Sequence, residues 1–308
     1  MFYIIAFVLG SIWGSFANVC IHRLPIEESI SIKRSYCPKC NEKISWFDNI
    51  PILSFLILGG NCRKCKSKID KKYLIVELLS VTSFVLIYSI YGLTITTLLL
   101  AVLSIFFIII FFIDLKHFII PNTLTFPLMI IGFVKSFDPN LNTSLFPNYL
   151  NSIIGGVMGY LVIWLIILFY KKFKNKEGMG LGDAKLLSAI GFWFGWICIP
   201  FIIFLSSVIA LLVVTPSLIK KSKTMSSQIP FGPYIITGCM IYISFFDQFK
   251  IYFTRLISGN FKTNKNIERP GSLPGLVVYV DFDRGTGRDE VGSDLEFDIV
   301  GPSDIGVT

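Results

Sequence analysis

The sequence predicts an all-α polytopic membrane protein of about eight transmembrane helices, with a small cysteine-rich cytoplasmic loop after the first. Three observations carry that prediction. The 308 residues are 53% hydrophobic and only 16% charged. Apolar stretches recur that approach the ~20 residues needed to cross a bilayer. Lysine and arginine gather between those stretches, as they do on the cytoplasmic side of membrane proteins.

The elements follow in order. Residues 1–19 are apolar but lack a basic start and a small-x-small cleavage site, so they read as a retained first transmembrane helix, not a signal peptide. The polar loop 20–73 carries 11 Lys+Arg against 5 Asp+Glu. A membrane core over 74–261 comes next, with spans expected at about 74–91, 94–113, 118–134, 149–170, 184–198, 199–219 and 229–247. The stretch 184–219 is short for two spans, and Gly191, Gly195 and Pro200 mark a turn inside it. With eight spans, the loop 20–73 and the basic clusters at 171–176 and 220–223 fall on one side, the cytoplasm. Loops 92–93 and 135–148, nearly free of positive charge, fall on the other. Both termini would then lie outside.

Residues 1–261 carry 23 Lys+Arg and 11 Asp+Glu. Topology accounts for that basic balance, so it does not point to nucleic acid. The tail 262–308 inverts it, with 5 basic residues against 9 acidic ones. It is rich in Gly, Pro and Asp, holds one candidate strand over 276–282, and reads as disordered or as an extension outside the native core. With only two histidines in the chain, a histidine-rich metal site is excluded.

Two aspartates stand at the ends of apolar spans. Asp114 closes the third, in Phe111-Phe112-Ile113-Asp114-Leu115-Lys116-His117. Asp183 opens the sixth, in Gly178-Met179-Gly180-Leu181-Gly182-Asp183-Ala184-Lys185. The topology brings both to the cytoplasmic boundary. A carboxyl at membrane depth is costly and needs a partner, water or a function. Two close carboxyls share a proton, and such a pair can activate water and polarise a peptide carbonyl. Gly180 and Gly182 would let a substrate backbone approach Asp183 and permit unusual φ/ψ. Lys185 would orient Asp183 or bind lipid phosphate. Structural alternatives stand beside these roles: Asp183 as the N-cap of a helix from Ala184, Asp114 as a solvated helix end, His117 as an interfacial residue, and Glu77 as a group reaching to the interface.

Cys37-Pro38-Lys39-Cys40 and Cys62-Arg63-Lys64-Cys65 form C-x2-C-x21-C-x2-C. Two such pairs in a reducing loop suit a tetrahedral zinc, giving a small zinc-binding cytoplasmic loop. Four thiolates leave no open position, so the zinc would be structural. Redox-active C-x-x-C pairs are the alternative. Cys20, Cys198 and Cys239 lie in or beside spans and read as packing residues.

Together these residues resemble the bacterial prepilin peptidases, the type IV leader peptidases, from about Gly14 to Lys262. The resemblance adds Gly14-Ser15-Phe16-Ala17-Asn18-Val19, His22-Arg23-Leu24-Pro25, Trp46-Phe47-Asp48-Asn49-Ile50-Pro51, Leu58-Gly59-Gly60, Tyr73-Leu74-Ile75-Val76-Glu77-Leu78 and Pro230-Phe231-Gly232-Pro233-Tyr234. It implies an enzyme of the bacterial inner membrane that cleaves the leader of type IV prepilins and pseudopilins after glycine. It also implies N-methylation of the new N-terminal residue, commonly Phe, with S-adenosylmethionine. Asp114 and Asp183 would be catalytic at the cytoplasmic face, and Gly60 would belong to the methyl-donor region. The Gly59-Gly60 pair also reads as a plain turn. The loop is short for the family, and the tail has no family counterpart. Rival readings are a peptidase without methylation, as in archaeal preflagellin peptidases, and a proton- or cation-coupled transporter. The cysteine loop argues against the first. The lack of an inverted repeat, and acids at one boundary, argue against the second.

Overall fold

A computed structural model describes residues 2–30, 35–37, 39–141, 145–174, 180–219 and 229–245. The chain divides at residue 260, and the second part, with the expected tail and strand, lies outside the described residues. So do Gly178, Met179 and the basic cluster at 220–223.

The described residues are helical, in the order α1 (Phe2–Arg23), α2 (Leu53–Ile57), α3 (Lys71–Tyr91), α4 (Ile95–His117), α5 (Asn122–Val134), α6 (Tyr149–Lys174), α7 (Leu181–Phe194), α8 (Cys198–Ile219) and α9 (Gly232–Ser244). An apolar helix stands at each of the eight expected places. Five of them, α1, α3, α4, α6 and α8, are long and apolar enough to cross a membrane. The others are shorter. At 1.5 Å per residue a 13-residue helix such as α5 or α9 spans about 20 Å, less than the ~30 Å hydrocarbon core.

Local chemistry sets the helix ends. The Asp70 side chain accepts the Lys72 N–H at 3.0 Å and caps α3. Thr94 Oγ1 accepts the Thr97 N–H at 3.2 Å and caps α4. Helix α7 stops at Gly195, whose φ of 81° suits glycine and whose N–H reaches the Gly191 carbonyl at 2.8 Å. The chain then enters α8 at Cys198, with Pro200 in its first turn. That turn is how 36 residues yield two helices.

Close approach of small residues holds the bundle, as expected where lipid removes the hydrophobic drive between helices. On α1, a Cβ at Gly10 would lie 2.8 Å from the Val81 Cα of α3, and Ser80 Oγ donates to the Gly10 carbonyl at 2.7 Å. Between α6 and α7, Gly155 and Gly191 meet backbone to backbone, and Ser188 Oγ donates to the Gly156 carbonyl at 2.7 Å. Trp193 of α7 is fully buried and gives its Nε1–H to the Leu128 carbonyl of α5 at 2.8 Å. Helix α9 packs against α4, α7 and α8.

Candidate active site and metal centre

Asp114 lies in the last turn of α4, buried at 4% exposure. The helix ends because Phe118 adopts a left-handed φ of 56° and donates its N–H to the Asp114 carbonyl at 3.0 Å. Ile119, Ile120 and Pro121 then lead into α5, which begins at Asn122. The Asp114 carboxylate is held from outside its own helix. The N–H of Gly232, the first residue of α9, donates to Asp114 Oδ2 at 3.0 Å. The positive end of that helix therefore faces the carboxylate. A Cβ on Gly232 would stand 2.7 Å from the same oxygen, so only glycine fits without a shift.

Asp183 lies in the first turn of α7, buried at 7% exposure. It is not the N-cap: Gly180 holds that position, and the Asp183 N–H donates to the Gly180 carbonyl at 3.2 Å. Ile120 packs between the two sites: a Cβ on Gly232, beside Asp114, would lie 3.1 Å from its Cδ1, and one on Gly182, beside Asp183, 3.0 Å from its Cβ.

The neighbours of Asp183 differ from the sequence reading. Gly180 has φ −84° and ψ 147°, ordinary extended backbone, so unusual dihedrals are not its purpose. It does leave open space: a Cβ there would find nothing nearer than 3.8 Å. Gly182 instead seats α7 against Ile120, whose Cβ would be 3.0 Å from an added methyl. Lys185 turns away from Asp183. Its Nζ donates to Asn122 Oδ1 at 2.7 Å and lies 5.6 Å from the Phe126 ring centroid. Thus Lys185 ties α7 to α5.

The cysteines form two matching knuckles. Cys37 N–H donates to the Glu42 carbonyl at 2.9 Å, and Cys62 N–H to the Ser67 carbonyl at 2.8 Å. Asn41 and Lys66, each four residues past the first cysteine of its pair, have φ of 55° and 56°. The ligand atoms of Cys37, Cys40, Cys62 and Cys65 all lie within 4.8 Å of one another, with Cys37 Sγ and Cys65 Sγ 3.9 Å apart. A tetrahedral zinc with Zn–S near 2.3 Å needs sulfurs about 3.8 Å apart, so the residues fit that ion. A disulfide needs sulfurs near 2.05 Å, and the cysteines are unbonded. Arg63 joins the second knuckle to the segment between the pairs, donating to both Asp48 oxygens at 2.6 to 3.1 Å. That hydrogen bond holds the Asp48 carboxyl below its ordinary range.

Gly59 and Gly60 close α2. The Gly60 N–H reaches the Phe55 carbonyl at 2.9 Å and the Gly59 N–H the Leu56 carbonyl at 3.1 Å, a Schellman pair with φ of 58° and 69°. Glu77 of α3 was singled out only through its motif, yet its Oε2 accepts the Ile52 N–H at 2.7 Å and pins the loop to the membrane helices. No pattern in the sequence marks that pair, nor the one between Gly232 and Asp114. The only signal for the latter is a Pro-Phe-Gly-Pro helix start.

These features define a multi-helix membrane protein with two buried aspartates and a four-cysteine cluster that could hold a metal ion. Residues 8–91 match the bacterial peptidase A24 N-terminal domain, and residues 101–215 match the type IV leader peptidase family. Among curated relatives, the prepilin leader peptidase/N-methyltransferase of Aeromonas salmonicida (strain A449) is 33% identical over 267 residues, covering 76% of this chain and 88% of the relative. That of Vibrio cholerae is 36% identical over 252 residues, covering 78% and 95%. That of Pseudomonas aeruginosa is 31% identical over 270 residues, covering 80% and 91%. No solved structure matches. The chain belongs to the type IV leader peptidase family.

Proposed function

We propose that this protein cleaves the leader of type IV prepilins or pseudopilins after glycine and then N-methylates the new N-terminal residue. The observation that carries the reading is the burial of Asp114 and Asp183, each at a helix end and each beside a glycine that packs on Ile120. One carboxyl, ionised, takes a proton from water. The other, protonated, polarises the scissile carbonyl and helps protonate the leaving amine. The Gly232 N–H orients Asp114 throughout, and the space over Gly180 admits the substrate backbone.

In this reading the eight apolar helices sit in the bacterial inner membrane, and the aspartates face the cytoplasm. Residues 1–19 form the first span, 20–73 the methyltransferase-associated loop, 74–261 the peptidase core and 262–308 the tail. Cys37, Cys40, Cys62 and Cys65 hold a structural zinc. It takes no part in either reaction, because four thiolates fill its coordination. The methyl donor is S-adenosylmethionine. A cavity of about 470 Å³ beside the knuckles fits it in size, and its lining mixes apolar and charged groups of both signs, with Asp48, Phe55 and Glu77 beside Arg23, Lys43 and Lys68. Incubating the purified protein with a prepilin and methyl-labelled S-adenosylmethionine tests the whole. A shortened, labelled pilin is expected, and an intact leader would overturn the reading.

A further inference from the structure

Cleavage by Asp114 and Asp183 leaves Glu77 without a task. Glu77 lies six residues into α3, half-buried, on the wall of the 470 Å³ cavity. That cavity is lined by the C-terminal end of α1, the N-terminal end of α3 and the knuckles; its acids are Glu42, Asp48, Asp70 and Glu77, among six Lys and Arg side chains.

Three contacts make the Glu77 position rigid. Its Oε2 accepts the Ile52 N–H at 2.7 Å. Ile52 has φ 62° and ψ −53°, a backbone that β-branched residues rarely adopt, so the surroundings hold it there. Asn18 of α1 lines the same cavity and donates to the Tyr73 carbonyl at 3.0 Å, which fixes α1 against the start of α3. Beneath them α1 and α3 are pressed together, since a Cβ at Gly14 would lie 2.9 Å from the Glu77 Cα. Among the described residues Glu77 has no cationic partner. A half-buried carboxylate without one, facing a cavity of ligand size, suits a cationic ligand.

The position also suits the product of cleavage. Helices α3 and α4 pack together and are joined by residues 92–94 alone, so α3 begins at the end of the bundle where α4 finishes with Asp114, and Gly182 sets the start of α7 against Ile120 there. Glu77 is about 9 Å along α3 from its start, at 1.5 Å per residue. The aspartates and the start of α3 thus share one end of the bundle.

We propose that this cavity is the methyl-transfer chamber and that Glu77 holds the amine of the newly exposed N-terminus. The proposal rests on the bifunctional reading above. A peptide N-terminus has a pKa near 7.7–8.0, so at neutral pH it is mostly ammonium and lacks a nucleophilic lone pair. Glu77 binds that ammonium and accepts one proton from it, which frees the lone pair. S-adenosylmethionine, when bound, supplies a sulfonium methyl: the nitrogen lone pair forms the N–C bond as the C–S bond breaks, and its electron pair stays on sulfur. The product is a methylated ammonium and a thioether. Glu77 then returns its proton to water. The Ile52 N–H holds the carboxylate at the cavity wall throughout.

The test uses the full chain, a mature pilin peptide with a free N-terminal Phe, and Glu77→Gln. The amide oxygen of Gln can still accept the Ile52 N–H, so the variant removes the proton acceptor and keeps the loop anchor. At pH 7 methylation is expected to fall about 100-fold. The gap should narrow above pH 9, where the substrate amine is already neutral. Leader cleavage and zinc content should stay at wild-type levels. Ultraviolet crosslinking of adenosyl-labelled S-adenosylmethionine to wild type should mark residues 15–23, 35–49 or 70–77, and this arm stands even if the variant fails to fold. Unchanged methylation at pH 7, a loss of equal size at every pH, or label confined to α4–α9 would overturn the proposal. Absence of methylation by wild type would overturn the bifunctional reading itself, and this inference with it.

Discussion

Gly232 and Asp114, 118 residues apart in sequence, are joined by a hydrogen bond of 3.0 Å from the glycine N–H to Asp114 Oδ2. A methyl at Gly232 would stand 2.7 Å from that oxygen. Gly232→Ala should therefore push the carboxylate out of line and lower kcat/KM for leader cleavage about 100-fold, since a 1 Å misplacement costs on that order. Methylation of a mature pilin should persist. Wild-type cleavage by the alanine variant would show that Asp114 does not depend on α9 for its aim.

Asp114→Asn and Asp183→Asn should each abolish cleavage while the protein remains folded in the membrane. Members of a catalytic unit are not additive, so either loss removes most of the rate. Both variants should still methylate a supplied pilin whose N-terminus is already free. Near-normal leader removal by either one would sink the paired-carboxyl mechanism.

Elemental analysis should find about one zinc per chain, absent from a Cys37→Ser/Cys62→Ser double variant. Metal binding and folding of the loop are coupled. The stripped loop should become protease-sensitive while α4–α9 stay resistant. Cys37–Cys40 and Cys62–Cys65 disulfides in protein from intact cells would reject the metal assignment.

At Gly60 the φ is +69°, and a Cβ would lie 3.0 Å from Phe55 Cζ on the cavity wall. A left-handed conformation costs a non-glycine residue roughly 1–2 kcal/mol. Gly60→Leu should displace Phe55 and block methylation while cleavage continues. Lost cleavage with retained methylation of mature pilin would invert the proposed partition of the chain.

Two glycines near Asp183 should respond in opposite ways. Gly191→Leu drives a side chain into the Gly155 backbone of α6 and should markedly lower the thermal stability of the detergent-solubilised protein. Gly180→Ala meets nothing within 3.8 Å and should leave stability within about 0.5 kcal/mol of wild type. Its methyl would stand 4.0 Å from Asp183 Oδ2, in the space assigned to substrate, so cleavage should fall in a fully stable protein. Full activity of Gly180→Ala would show that the substrate does not pass there.

The amino-acid sequence by itself determined the eight apolar helices and the paired knuckles. It also singled out the two aspartates. These are local patterns: a hydrophobic run wants a helix in lipid, and cysteines two apart already bring two ligands to one point. Even the turn inside 184–219 was legible, because Gly195 is one of the few residues that ends a helix at φ 81° without strain. Tertiary structure decided what no short window contains. It set the Gly232 N–H on Asp114, the Glu77 carboxylate under Ile52, and Lys185 on Asn122, 63 residues away, where the sequence offered Asp183 or a lipid phosphate. It also kept α5, α7 and α9 short of the lengths their hydropathy suggested. The physical reason is common to the three pairings. A charged side chain takes whichever partner the packing of helices brings within about 3 Å, and glycine contacts such as Gly155–Gly191 set that packing.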